Sequence, residues 1–92
     1  MGKYFIKKHC EADELITIAL GRSQDYYYGN NSTSGYVTRD FEPRSFEVEQ
    51  YGFNSVEEAK PLFMKMLEAA EKENKEGQWK TTLEIVEVNY ER

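Results

Sequence analysis

Residues 55–74 read SVEEAKPLFMKMLEAAEKEN, and this stretch decides the fold. Apolar side chains recur at Val56, Ala59, Phe63, Met66, Leu67 and Ala70, the three-and-four spacing of one helical face, and Leu62 and Ala69 widen the stripe. The start is marked by Ser55 with Glu58 three residues on, a capping box in which each side chain satisfies a free backbone N–H of the other. Phe53, before the cap, is placed to pack back on the first turns. Lys72 and Lys75 sit near the negative end of the helix and Gly77 lies just beyond, which marks the stop. Pro61 falls one turn in, where it removes the bond to the Glu57 carbonyl and crowds that group. Val56 and Ala59 stay in phase with the stripe, so the expectation is one continuous, bent helix. A helix striped on one side needs a partner surface, and the segments on either side of it read as strands.

Towards the C-terminus, residues 79–90 (WKTTLEIVEVNY) form a strand whose apolar phase changes midway. Trp79, Thr81, Leu83 and Ile85 share one face, and Val86, Val88 and Tyr90 share the other. Either a β-bulge re-aims the side chains by one residue or the strand is covered on both faces. Towards the N-terminus, residues 45–51 (SFEVEQY) alternate, with Phe46 and Val48 on one side and Glu47, Glu49 and Tyr51 on the other, and this predicts another strand. Residues 4–8 (YFIKK) and 36–39 (YVTR) are short strand candidates. Residues 10–13 and 40–44 read as turns. Residues 15–20 (LITIAL) are apolar on both sides, as in a central strand covered twice. The expected architecture is α+β, one domain over residues 1–92: an antiparallel sheet of four to five strands with one amphipathic helix packed on one face, in the order β-β-β-β-α-β. One helix covers one face, so the other face calls for a loop or a second copy of the chain.

Composition bounds the function. A chain of 92 residues buries roughly 60–65% of its unfolded surface, enough for one core and little more. The net charge of −5 is uneven: residues 1–45 carry six Lys/Arg and six Asp/Glu, whereas residues 46–92 carry six Lys/Arg and eleven Asp/Glu. An acidic helix side disfavours binding to a phosphate backbone. Glu68–Lys72 and Glu71–Lys75 are favourable four-apart pairs, which makes the outer helix face an ordinary solvated one. The sharper alternative is a carboxylate surface that imitates nucleic acid and blocks a DNA- or RNA-binding enzyme. Cys10 is the single cysteine, which suits a reducing, cytoplasmic setting. No run is long enough to span a membrane, and the first ten residues, MGKYFIKKHC, lack the apolar core of a signal peptide.

The residues that catalysis or metal binding needs are scarce. His9 and Cys10 are neighbours on an extended segment, so they point to opposite faces and cannot form a thiolate–imidazole pair. His9, Glu11, Asp13 and Glu14 fall short of a zinc site and lack the spacing of a calcium loop. Gly21, Gly29 and Gly35 are too far apart for a phosphate loop. The expectation is therefore no catalytic, cofactor or metal residue. The strongest functional signal lies in residues 21–35 (GRSQDYYYGNNSTSG), read as a loop with three consecutive tyrosines. Tyr among Ser, Gly and Asn is the composition of binding loops that recognise protein surfaces. Tyr26, Tyr27, Tyr28 and Tyr36 with Arg22 and Arg39 are the expected partner-binding residues. The alternative is that these tyrosines stack nucleobases while the guanidinium groups take phosphates, or that they pack as strand residues.

The string Phe46-Glu47-Val48, then Tyr51-Gly52-Phe53-x-Ser55-x-Glu57-Glu58-Ala59, a helix, and Leu83-Glu84-Ile85-Val86-Glu87-Val88 resembles small proteins of phages and other mobile elements over about half the chain. The resemblance implies an accessory protein that acts by binding host or phage factors, as an inhibitor. It carries no catalytic residues. Together these readings predict a non-enzymatic cytoplasmic protein that binds another protein and self-associates as a homo-oligomer, with no cofactor and no membrane.

Overall fold

Two long strands form the centre of the protein, whose computed structural model describes residues 2–12, 24–30, 38–39, 41–76 and 79–89. Strand β1 (Gly2–Ala12) pairs antiparallel with the strand Trp79–Asn89 in one unbroken register, from Gly2 opposite Asn89 to Ala12 opposite Trp79. No bulge interrupts this ladder. The change of apolar phase between Ile85 and Val86 is therefore the mark of a strand covered on both faces. β1 is longer than residues 4–8, and it takes in residues 10–12 of the turn expected over 10–13. Its side chains alternate throughout, with Tyr4, Ile6, Lys8 and Cys10 on one face and Lys3, Phe5, Lys7, His9 and Glu11 on the other.

Strand β2 (Gln24–Tyr28) pairs antiparallel with β1, Ile6 opposite Tyr28 and Cys10 opposite Gln24. The two-residue β3 (Thr38–Arg39) adds to β2, with Arg39 opposite Tyr26. With Trp79–Asn89 as β4, the antiparallel sheet has the order β3-β2-β1-β4. The strand expected at 15–20 lies outside the described residues.

Among the described residues two helices cover the sheet rather than one. Residues 45–51, expected as a strand, are helix α1 (Ser45–Tyr51). Its start is built by Glu47, whose carboxylate accepts the Arg44 backbone N–H at 3.1 Å. Its end is built by the Gly52 N–H, donated to the Val48 carbonyl at 3.0 Å. Gly52 is needed for its size: a Cβ there would stand 2.7 Å from the Val48 carbonyl and against Lys3 Cβ. The burial pattern is helical. Val48 is 0% exposed and Tyr51, three residues on, packs beside it, while Phe46, two residues before Val48, is 62% exposed. On a strand Phe46 and Val48 would share a face.

Helix α2 (Val56–Glu76) runs unbroken through Pro61. Ser55 Oγ accepts the Glu58 N–H at 3.2 Å, while the Glu58 carboxylate accepts the N–H of Asn54, at 2.9 Å, instead of that of Ser55. The reciprocal cap is thus shifted by one residue. Ala59, Leu62, Phe63 and Met66 pack with Ile6, Phe53, Tyr28, Leu83 and Ile85 to make the larger core. Val56, at the start of the predicted stripe, is exposed. The smaller core lies on the opposite face, where Val48 and Tyr51 of α1 meet Phe5, Tyr27, Val86 and Val88. That face needs no second copy near Val86 and Val88, because α1 covers it. Among the described residues no helix is long and apolar enough to cross a membrane.

Candidate interaction surface

The three consecutive tyrosines sit on β2, not on a loop, so alternation splits them. Tyr27 points to the α1 face, is 6% exposed and belongs to the smaller core. The Lys7 ammonium lies 5.9 Å from its ring centroid, a cation–π contact. Burial raises the hydroxyl pKa of Tyr27 above its ordinary value, an effect the Lys7 charge opposes. Tyr28 points to the α2 face, packs on the larger core and is likewise raised by burial. Tyr26 shares that face, donates its hydroxyl to Gln24 Oε1 at 2.5 Å and lies 6.5 Å from the Tyr28 ring. Arg39 is brought opposite Tyr26 in the ladder. Arg22 and Tyr36 lie outside the described residues. The tyrosines are thus divided between two sides of the sheet and do not form one continuous epitope.

His9 and Cys10 also point to opposite faces. Cys10 is buried and accepts a long contact from Thr81 Oγ1 at 3.8 Å. His9 bridges two carboxylates: Nδ1 lies 2.5 Å from Asp25 Oδ1 on β2 and Nε2 lies 3.3 Å from Glu11 Oε1. The bond to Asp25 first and the bond to Glu11 second raise its pKa. Both ring nitrogens face acceptor-only groups, which favours the doubly protonated ring. A depression of about 230 Å³ beside it is lined by Lys7, His9, Thr82, Leu83 and Glu84. Among the described residues no group of three or more His, Cys, Asp and Glu side chains is placed to hold a metal ion.

The surface that sequence reasoning missed is at residues 41–47. Pro43 is buried and anchors the segment. On either side of it Phe41 is 75% and Phe46 62% exposed. The two rings and the side chains of Glu42, Arg44 and Glu47 line an open groove of about 510 Å³. The strand reading concealed this surface by placing Phe46 in the core beside Val48. The signal was present in the spacing of Val48 and Tyr51, three residues apart, and in Gly52 as a helix stop. The chain matches no family model, no characterised protein and no solved structure.

Proposed function

We propose that this protein is a non-enzymatic protein-binding module that docks a partner through the groove between Phe41 and Phe46. One observation carries the reading: two large aromatic side chains, 75% and 62% exposed, flank a single groove on a chain of net charge −5. Exposed aromatic pairs rimmed by charge are the composition of interface centres. Glu42 and Glu47 flank the rings with Arg44 between them, so the fitting partner offers an apolar side chain beside a cation. The resemblance to small phage proteins supplies the class of partner, a host factor whose action is blocked by occupancy. The burial of Tyr27 removes it from base stacking, which needs open ring faces.

The test is capture of proteins from source cells by the wild type and by a Phe41→Ser, Phe46→Ser double variant. The wild type retains a partner and the variant loses at least tenfold of it, while the thermal midpoint changes little because both rings are solvent-exposed. Equal capture by both proteins would overturn the reading.

A further inference from the structure

The outer edge of β4 carries information that neither the apolar pattern nor the helices use. In an antiparallel ladder the N–H and C=O of one residue point to the same side, and the side alternates along the strand. Thr81 has both groups engaged by the Asn74 side-chain amide: its N–H donates to Oδ1 at 2.7 Å and its carbonyl accepts from Nδ2 at 3.1 Å. Thr81 therefore points its backbone groups away from β1. Tyr4, opposite Glu87, confirms the phase, because its own N–H and C=O bond Phe53, on the side of β1 away from β4, at 2.9 Å each. By the two-residue period Leu83, Ile85, Glu87 and Asn89 also point their backbone groups outward. Among the described residues nothing pairs with them.

The two helices leave this half of the edge open. α2 crosses the sheet obliquely: its C-terminal Asn74 caps the edge at Thr81, whereas near its start Ala59 packs on Ile6 of β1 and on Phe53. α1 sits over the middle of the opposite face, because Val48 meets side chains from β2, β1 and β4 alike. A long open edge is a template for another strand.

We infer that the edge from Leu83 to Asn89 pairs antiparallel with the same segment of a second copy, about a two-fold axis through Val86. Outward-pointing residues must oppose outward-pointing residues, and rotation about Val86 achieves this at every position: Leu83 meets Asn89 and Ile85 meets Glu87, each twice. Glu84 then lies opposite Val88, so no carboxylate is directly opposite another, and Val86 meets Val86. Moving the axis to Glu84 would place two Glu84 carboxylates face to face and bring Glu87 against Thr81, whose backbone groups are already engaged by Asn74. The Asn74 amide therefore sets the limit of pairing, and the second copy is the strand whose pattern fits what remains. This interface is separate from the Phe41–Phe46 groove, and either can fail alone.

The wild type is expected to sediment as a dimer at tens of micromolar. In the proposed register the Val86 Cα atoms are about 4.5 Å apart in a non-hydrogen-bonded pair, which is within disulfide reach. Two Glu84 Cα atoms are about 13 Å apart, four strand residues from being opposed. Mild oxidation should thus convert a Val86→Cys variant into a covalent dimer and leave Glu84→Cys and the wild type, whose Cys10 is buried, without a covalent cross-link on a denaturing gel. A monomeric wild type, absence of the Val86→Cys cross-link, or equal cross-linking at Glu84→Cys would each overturn the inference.

Discussion

His9 shows how little of a residue's role its neighbours in the chain disclose. Its sequence neighbours Cys10 and Glu11 make neither a nucleophile pair nor a metal site with it, and its principal partner, Asp25, lies on the next strand. The ion bridge has a measurable consequence. The folded pKa of His9 is raised, so the protein binds a proton more tightly folded than unfolded. The resulting stability is fully present below the unfolded value of about 6.5, and it is lost as pH rises through the higher folded value. Asp25 and Glu11 are the carboxylates that face the ring. Urea midpoints measured from pH 5.5 to 8.5 should therefore fall for the wild type relative to a His9→Gln variant. Parallel curves would show that the bridge contributes nothing. The side chain is about one-third exposed, so the difference is small.

At the scale of elements, α1 is the instructive case. SFEVEQY fits two periods: Phe46 and Val48 at a spacing of two suit a strand, and Val48 and Tyr51 at a spacing of three suit a helix. Seven residues hold too little propensity to decide, because a helix this short is unstable alone and depends on tertiary packing. The choice is made by Val48 closing the smaller core. The two periods differ in what they predict for mutation. Val48→Ala should cost about 2 kcal/mol, whereas Phe46→Ala should stay within about 0.5 kcal/mol, both read from chemical denaturation. Equal costs would restore the strand. α2 is the opposite case. The helix spans 21 residues, and an apolar stripe repeated from Val56 to Ala70 survives a misplaced end. What its pattern could not show is that the Glu58 carboxylate reaches Asn54, since a one-residue shift of a cap leaves the periodicity unchanged.

For the whole molecule, the sheet with a core on each side accounts for the mixed legibility of the chain. The change of apolar phase in the C-terminal strand was legible and left a bulge or a double cover open; the unbroken register decides for the double cover, and no sequence pattern assigned the cover of the second face. That cover is α1, from the same chain, so the apolar residues Val86 and Val88 do not themselves require a partner. The self-association we infer instead rests on backbone groups at the strand edge, which have no signature in side-chain patterning. Tyr27 tests the two-core arrangement directly. A Tyr27→Ser variant should lose about 3 kcal/mol, with a matching fall in thermal midpoint, because the ring closes the smaller core. Were Tyr27 an exposed binding residue, the midpoint would not move.

The sequence by itself determined α2, β4 and the antiparallel α+β arrangement, because each rests on a periodicity long enough to be read locally. It also determined that His9 and Cys10 part company, since alternation on a strand is a local property. Only the tertiary structure decided that residues 45–51 coil, that β1 extends through residue 12, and that the tyrosines divide between two faces. It also exposed Phe41 and Phe46 and aimed the outer edge of β4. These outcomes depend on which distant surface a short segment reaches, and the burial of Val48 or Tyr27 outweighs the small local preferences that the sequence displays.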